Sequence, residues 1–189
     1  KKINFFKKFK NLKILSIGRL TDQKDHSTLI KSLNLLKNEG FEFRLYLIGK
    51  GYNHSRILSE IESYNLNKHI KLGGYKNKAY EFMNDSDLFI LTSKYEGLPN
   101  VLIEAQYLGL PIISSDCPSG PKEILLNGKA GTMFKTGNYN DLKNKIKLFI
   151  RNKNFFYKKN KFAKKNLYRF NNEIAKEKYY KFLIKQLNK

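Results

Sequence analysis

The sequence predicts an α/β fold built on a doubly wound parallel sheet, and three observations predict it. Short β-rich apolar runs alternate with longer amphipathic ones, the short runs read as strands covered on both faces, and brief glycine-containing loops join them. The expected strands are LKILSI (12–17), FRLYLI (43–48), HIKL (69–72), DLFILT (87–92), PIISS (111–115) and GTMF (131–134). Helices are expected over 26–38, 53–65, 77–84, 99–108 and 120–126, followed by 138–151, 154–169 and 172–187.

A chain of 189 residues suits one domain with a real core. Cys117 is the one cysteine, which excludes an internal disulfide framework, leaves no zinc-type cluster with the three histidines, and fits a reducing compartment. No run approaches the ~20 apolar residues of a membrane span, and KKINFFKKFKNLK (1–13) lacks the apolar stretch of a signal peptide. A soluble, cytoplasmic protein is therefore expected.

The formal net charge of +21 suggests an acidic partner: nucleic acid, an anionic membrane surface or a phosphorylated ligand. Lysine and asparagine are abundant and arginine scarce, a bias that genome base composition also produces. Lysines crowd residues 1–13 and 143–189 with Phe and Tyr between them. That pattern reads first as amphipathic helices with aromatics on a core and lysines in solvent, and second as a membrane-facing surface.

In doubly wound sheets, ligands bind at the carboxyl ends of the strands. The loops there are GRLTDQKDH (18–26), GKGYNHS (49–55), GGYKNK (73–78), SKYEGLPN (93–100) and DCPSGPKE (116–123). Pro99 fits a first helical position, leaving the amides of Asn100, Val101 and Leu102 free for a phosphate. Arg19 and Lys24 add fixed positive charge, or form an ordinary surface pair. Glu96 and Glu104 are carboxylates able to accept from neighbouring sugar hydroxyls; alternatively, Glu104 is a surface acid at the favourable end of the helix dipole.

These residues carry a resemblance. SKYEGLPNVLIEAQYLGLPIISSD resembles the Glu-x7-Glu signature of the retaining glycosyltransferases of family 4, which have the GT-B fold. IGRLTDQKDHSTLIKSL is similar to that family's Gly-Arg-Leu…Lys segment, and HIKLGGYKNKAYEFMNDSDLFILTS to the stretch between, so the likeness covers approximately 11–150 in order. It implies that Arg19 and Lys24 neutralise a nucleotide diphosphate, Glu104 takes the ribose hydroxyls and Glu96 takes those of the donor sugar. It also implies that the backbone at Gly97, Leu98, Asn100 and Val101 contacts sugar and phosphate, that Gly73, Gly74 and Tyr75 face the base, and that Gly18 lets its loop approach the phosphates. Glu96, Arg19 and Lys24 are the catalytic candidates.

Asp25 stands where many relatives have Gly and is expected to be a helix N-cap. Asp87, in NDSD (84–87), is read as structural and not as a metal ligand. His26, His54 and His69 receive no catalytic role. SSDCPSGPKEIL is similar to a subset of the family that uses UDP-hexoses or UDP-N-acetylhexosamines.

The resemblance thus implies a Rossmann-like sheet forming the C-terminal half of a GT-B fold. The expected division is a basic leader or linker remnant over 1–10, a nucleotide-sugar domain over 11–151, and basic amphipathic helices over 152–189. The expected function is transfer of a sugar, with retention, from a nucleotide diphosphate to a glycan or lipid-linked acceptor. It needs no metal or other cofactor, and the N-terminal acceptor domain is supplied in cis or trans. Such a protein works in the cytoplasm, with the inner membrane face as a candidate surface. Two other readings stay open: a stand-alone nucleotide-sugar-binding subunit of a split transferase, and a basic nucleic-acid-binding α/β protein, in which the lysines and aromatics would serve a polyanion.

Overall fold

The computed structural model describes residues 3–187; of the expected leader and C-terminal helices, residues 1–2 and 188–189 lie outside the described residues. Six parallel strands form one sheet: β1 (Leu12–Ile17), β2 (Phe43–Ile48), β3 (Ile70–Leu72), β4 (Leu88–Leu91), β5 (Ile112–Ser115) and β6 (Thr132–Phe134), in the order β3-β2-β1-β4-β5-β6. This is the Rossmann-like order, and the chain reverses its direction of travel between β1 and β4. β1 pairs with β2 along its whole length, Leu12 opposite Phe43 through Ile17 opposite Ile48. Its pairing with β4 covers only Ile14 with Leu88 and Leu15 with Phe89, so the two strands part towards their carboxyl ends. A crevice opens there.

The strands are buried on both faces, as their apolar runs require. Ile14, Leu45, Leu47, Leu88, Ile90 and Ile113 meet α1 (His26–Asn38), α2 (His54–Ser63) and α5 (Tyr139–Arg151) through Leu29, Leu33, Ile57, Ile61, Leu142, Ile146 and Phe149. Leu15, Ile48, Phe89, Leu91 and Ile112 meet α3 (Asn100–Leu108), α4 (Gly120–Ile124) and a 3-10 segment, Ala79–Asp85. Neighbours along a strand, such as Ile14 and Leu15, thus serve opposite layers.

Within the expected leader, a 3-10 turn over Asn4–Phe6 buries Ile3 and Phe6 in the second layer. Asp85 accepts from the Ile3 amide, and Asp87 accepts from the Lys13 amide at 2.8 Å. Both acids of NDSD thereby hold backbone. The first of the C-terminal helices, α6 (Lys153–Lys165), also joins the core: Phe156 packs edge-on to Phe149 at 5.1 Å. The last, α7 (Asn172–Leu187), leaves Tyr179, Tyr180, Leu183 and Ile184 exposed.

The helix expected over 53–65 is shorter, His54–Ser63, and three further elements differ from expectation. Residues 77–84 were expected as an α-helix, but the turn there is the 3-10 segment already described. The helix expected over 120–126 stops at Ile124, because Leu126 and Asn127 enter left-handed backbone at φ 50° and 51°. The helix expected over 154–169 breaks at Asn166, whose side-chain amide donates to the Phe162 carbonyl at 2.9 Å. A 3-10 turn over Leu167–Phe170 follows, and the Arg169 guanidinium donates to the carbonyls of Glu123 and Ile124 at 3.3 and 3.2 Å, the end of α4. Cations favour such helix ends.

Candidate functional site

The loop after β1 is laid on the loop after β2 by backbone contacts that glycines make possible. Gly18 and Leu20 donate to the carbonyls of Ile48 and Lys50, at 2.9 and 3.1 Å. A Cβ on Gly49 would stand 1.8 Å from the Gly18 carbonyl oxygen, and one on Gly51 would stand 2.4 Å from that of Leu20. The side-chain space at Gly18 itself is filled by the methylenes of Lys24, the nearest 3.3 Å from where a Cβ would sit. The missing side chain of Gly18 therefore lets Lys24 lie across the loop.

Lys24 reaches the loop after β4 and forms an ion pair with Glu96, the side chains being 13% and 7% exposed. The same carboxylate oxygen, Oε1, accepts from the Ser93 hydroxyl at 2.6 Å. Further bonds staple the two loops: Thr92 Oγ1 to the Lys24 carbonyl at 2.8 Å, Gln23 Nε2 to the Tyr95 carbonyl at 3.0 Å, and the Lys94 amide to the Gln23 carbonyl at 2.8 Å. Arg19 stands exposed beside them, its guanidinium 3.5 Å from Gln23 Oε1.

His26 sits beneath this loop, buried at the start of α1. Its Nε2 lies 3.2 Å from the Arg19 carbonyl, which can only accept, so Nε2 carries the proton and Nδ1 is bare. Burial first, and the nearby Lys24 charge as a lesser cause, lower its pKa from 6.5 to about 4. A neutral ring thus anchors the backbone of Arg19. Asp25 occupies the N-cap position in left-handed backbone, φ 45°, and its carboxylate accepts from the Thr28 hydroxyl at 2.7 Å, not from a backbone amide as a helix cap would.

At the second loop, Pro99 is the N-cap of α3 and Asn100 its first helical residue, one position later than the sequence suggested. The Leu102 amide already donates to the Pro99 carbonyl at 2.9 Å, leaving Asn100 and Val101 as the open amides of the helix start. Gly97 and Leu98 are exposed. Gly120 holds this loop from below: its amide donates to the Gly97 carbonyl at 2.8 Å, and a Cβ there would stand 1.9 Å from that oxygen.

The Gly73–Tyr75 loop closes the other side. Gly73 donates to the Leu47 carbonyl at 2.7 Å, and Gly74 accepts from the Gly49 amide at 3.0 Å. Any side chain at Gly73 would strike the Tyr46 ring. The exposed Tyr75 ring lies 5.4 Å from Lys50 Nζ. Ile17, Gly18, Arg19, Gly51, Tyr75 and Ala79 line a cleft of about 540 Å³ here, within the range of small-ligand sites. Glu104 and Asn100 open instead onto a second, larger groove of about 750 Å³ with Tyr80, Ile103, Tyr107 and Phe170. Partial burial pushes the Glu104 carboxyl above its ordinary value.

The structure therefore brings Gly18, Lys24 and Glu96 into one cluster, sets Arg19 and Gly73–Tyr75 beside it, and places Glu104 on a neighbouring groove. Sequence reasoning missed Ser93, Ser115, Thr92, Gln23 and Gly120. The available signal was hydroxyl residues closing otherwise apolar strands, Thr92-Ser93 after β4 and Ser114-Ser115 in β5, where burial obliges each hydroxyl to find a partner.

A crevice at the switch point of a Rossmann-like sheet, with paired charges from two loops and an open helix start, is the place where open α/β sheets receive a ligand, and the helix start suits an anion. Residues 1–169 match the family model described as glycosyl transferases group 1, and the chain belongs to that family. It is 38% identical over 111 residues to an uncharacterized glycosyltransferase of Methanocaldococcus jannaschii, covering 59% of this chain and 27% of that protein. It is 31% identical over 129 residues to the N-acetylgalactosamine-N,N'-diacetylbacillosaminyl-diphospho-undecaprenol 4-alpha-N-acetylgalactosaminyltransferase of Campylobacter jejuni, covering 68% and 34%. A mutant of S. aureus TarM, solved with Fondaparinux, alpha-GlcNAc-glycerol and UDP, superposes with a TM-score of 0.82 at 25% identity, over 90% of this chain and 35% of that one. The chain thus spans about a third or less of the length of these curated relatives. Its sheet is that of the C-terminal domain of the GT-B glycosyltransferases.

The neutral His26 makes stability depend on pH in a defined direction. An unfolded chain protonates this ring near 6.5 and the folded chain only near 4, so between those values the unfolded state binds more protons. Stability is then full above 6.5 and falls as pH drops from 6.5 towards 4, by up to about 3 kcal/mol. Denaturant unfolding across that window should show a shallower fall for His26→Gln than for the parent; equal slopes would contradict a buried neutral ring.

Proposed function

We propose that this chain is the donor half of a retaining glycosyltransferase that takes a UDP-hexose or UDP-N-acetylhexosamine and passes the sugar to a glycan or lipid-linked acceptor held by a further domain. The observation that carries this reading is the Lys24–Glu96 pair, assembled from two loops at the switch point beside an open helix start. A site for phosphate alone has no use for a carboxylate in that position. One for a diphosphate carrying a sugar has use for both charges, because a carboxylate accepts from hydroxyls that a cation cannot bind. The UDP in the S. aureus relative supports the choice of nucleotide.

In this reaction the bond between the anomeric carbon and the diphosphate oxygen breaks, and the acceptor oxygen bonds to that carbon on the same face. Negative charge grows on the departing diphosphate. Arg19, Lys24 and the amides of Asn100 and Val101 oppose it with groups already in place, so the reading requires no divalent cation. Lys24 has three N–H groups; one serves Glu96 and two remain for phosphate oxygens. Glu96 takes hydroxyls of the donor sugar, with the backbone at Gly97 and Leu98 alongside. Glu104, one turn into α3, takes the ribose hydroxyls, and the Gly73–Tyr75 loop meets the base.

The acceptor side of the reading includes an anionic membrane surface. On α6, Phe155, Tyr157 and Phe162 are 39, 47 and 41% exposed, and Lys158, Lys161 and Lys165 stand exposed among them. Aromatic side chains between lysines suit a lipid interface. No helix among the described residues is long and apolar enough to cross a membrane.

Two measurements test these readings. Calorimetric titration without metal should show UDP binding in preference to GDP and ADP, and Glu104→Ala should weaken it at least about tenfold, the worth of a hydrogen-bonded charge. Failure of all three nucleotides to bind, or an unchanged mutant, would contradict the site. The chain should float with phosphatidylcholine vesicles only when phosphatidylglycerol is included; no flotation with either would remove the membrane face.

A further inference from the structure

Glu96 is held by one oxygen. Oε1 accepts from both Lys24 Nζ and Ser93 Oγ, while no described residue donates to Oε2. A glutamate side chain turns about three torsions, so a carboxylate presents one chosen oxygen to a ligand only where something fixes the other. Lys24 is a shared anchor in a donor complex, because the phosphate oxygens draw on the same ammonium that serves Glu96. Ser93 has no such rival. Ser93 is fully buried just after β4, and a carboxylate can only accept, so the hydroxyl proton must point at Glu96.

Ser93 is itself held in register by a second hydroxyl. Ser115 Oγ, buried at the end of β5, donates to the Ser93 carbonyl at 2.6 Å. The relay runs from the end of β5 to the loop after β4 and out to the carboxylate: Ser115 fixes the backbone of Ser93, and Ser93 fixes one oxygen of Glu96. Ser115 belongs to β5, so the sheet supports the first residue of the loop that carries Glu96.

We infer that Ser93 is the positioning residue for Glu96, keeping Oε2 turned to the hydroxyls of the donor sugar when the diphosphate draws on Lys24, with Ser115 as its support. This inference rests on the nucleotide-sugar reading. It makes a distinction that a merely structural serine would not. Loss of the Ser93 hydroxyl should weaken sugar recognition and leave recognition of the nucleotide alone.

The test is titration of the parent chain, Ser93→Ala, Ser115→Ala and Glu96→Gln with UDP, UDP-glucose and UDP-N-acetylglucosamine. Ser93→Ala should weaken binding of whichever UDP-sugar the parent prefers by about fivefold to tenfold, in the same direction as Glu96→Gln. Its affinity for UDP should stay within about twofold, and Ser93→Thr, which restores a hydroxyl, should recover part of the loss. Ser115→Ala should show a smaller loss of the same selectivity, which keeps the inference testable if Ser93→Ala does not fold. Equal effects on UDP and the UDP-sugars, or no effect on either, overturn the positioning role. A parent chain that binds no UDP overturns the reading beneath it instead.

Discussion

The site depends on one buried ion pair. Lys24 and Glu96 come from loops on opposite sides of the β1–β4 crevice, and neither side chain can stay hidden from water without the other, because an unpaired buried charge costs several kcal/mol. Much of the surrounding structure follows from that requirement. The stem of Lys24 crosses close over Gly18, 3.3 Å from where a Cβ would sit. Thr92 and Gln23 tie the backbones of the same two loops. His26, buried at the start of α1, stays neutral chiefly because burial disfavours its charged form, with the Lys24 charge adding to that.

The net charge of +21 takes on a different meaning once the lysines are placed. Lys143 and Lys147 both bind Glu39, holding its carboxyl down at about 2 and joining α1 to α5. Lys37 donates to the carbonyls of Tyr64 and Asn65 at 3.2 and 3.0 Å, and Lys159 to those of Gly128 and Gly131. These cations close helix ends and turns. The positive charge is therefore spread over structural duties and a solvated face, and it does not by itself define a polyanion site.

Much of the fold was legible in the sequence because it is written in local patterns. All six strands lie where apolar runs between glycines placed them, to within a residue, and the parallel order follows from their alternation with helices. Lys24 and Glu96 were legible as charges on adjacent strand-end loops. What stayed hidden was long-range. Nothing near Asn166 announces that Arg169 reaches α4, so one helix became two elements. Pro99 fits a first helical position by propensity, yet its backbone is extended, with ψ 94°, which makes it the N-cap. The work of Ser93, Ser115 and Gly120 depends on partners 3, 22 and 23 residues away, and for the last two no spacing rule reaches that far.

Lys24 and Glu96 make the two loops one unit. A double-mutant cycle in denaturant unfolding, comparing the parent with Lys24→Met, Glu96→Gln and both together, measures it most directly. Each single change should destabilise strongly and the double mutant should recover part of the loss, giving a coupling of about 2 kcal/mol, in the upper range for residues in contact. Additive effects, with the double mutant losing the sum of the singles, would contradict it.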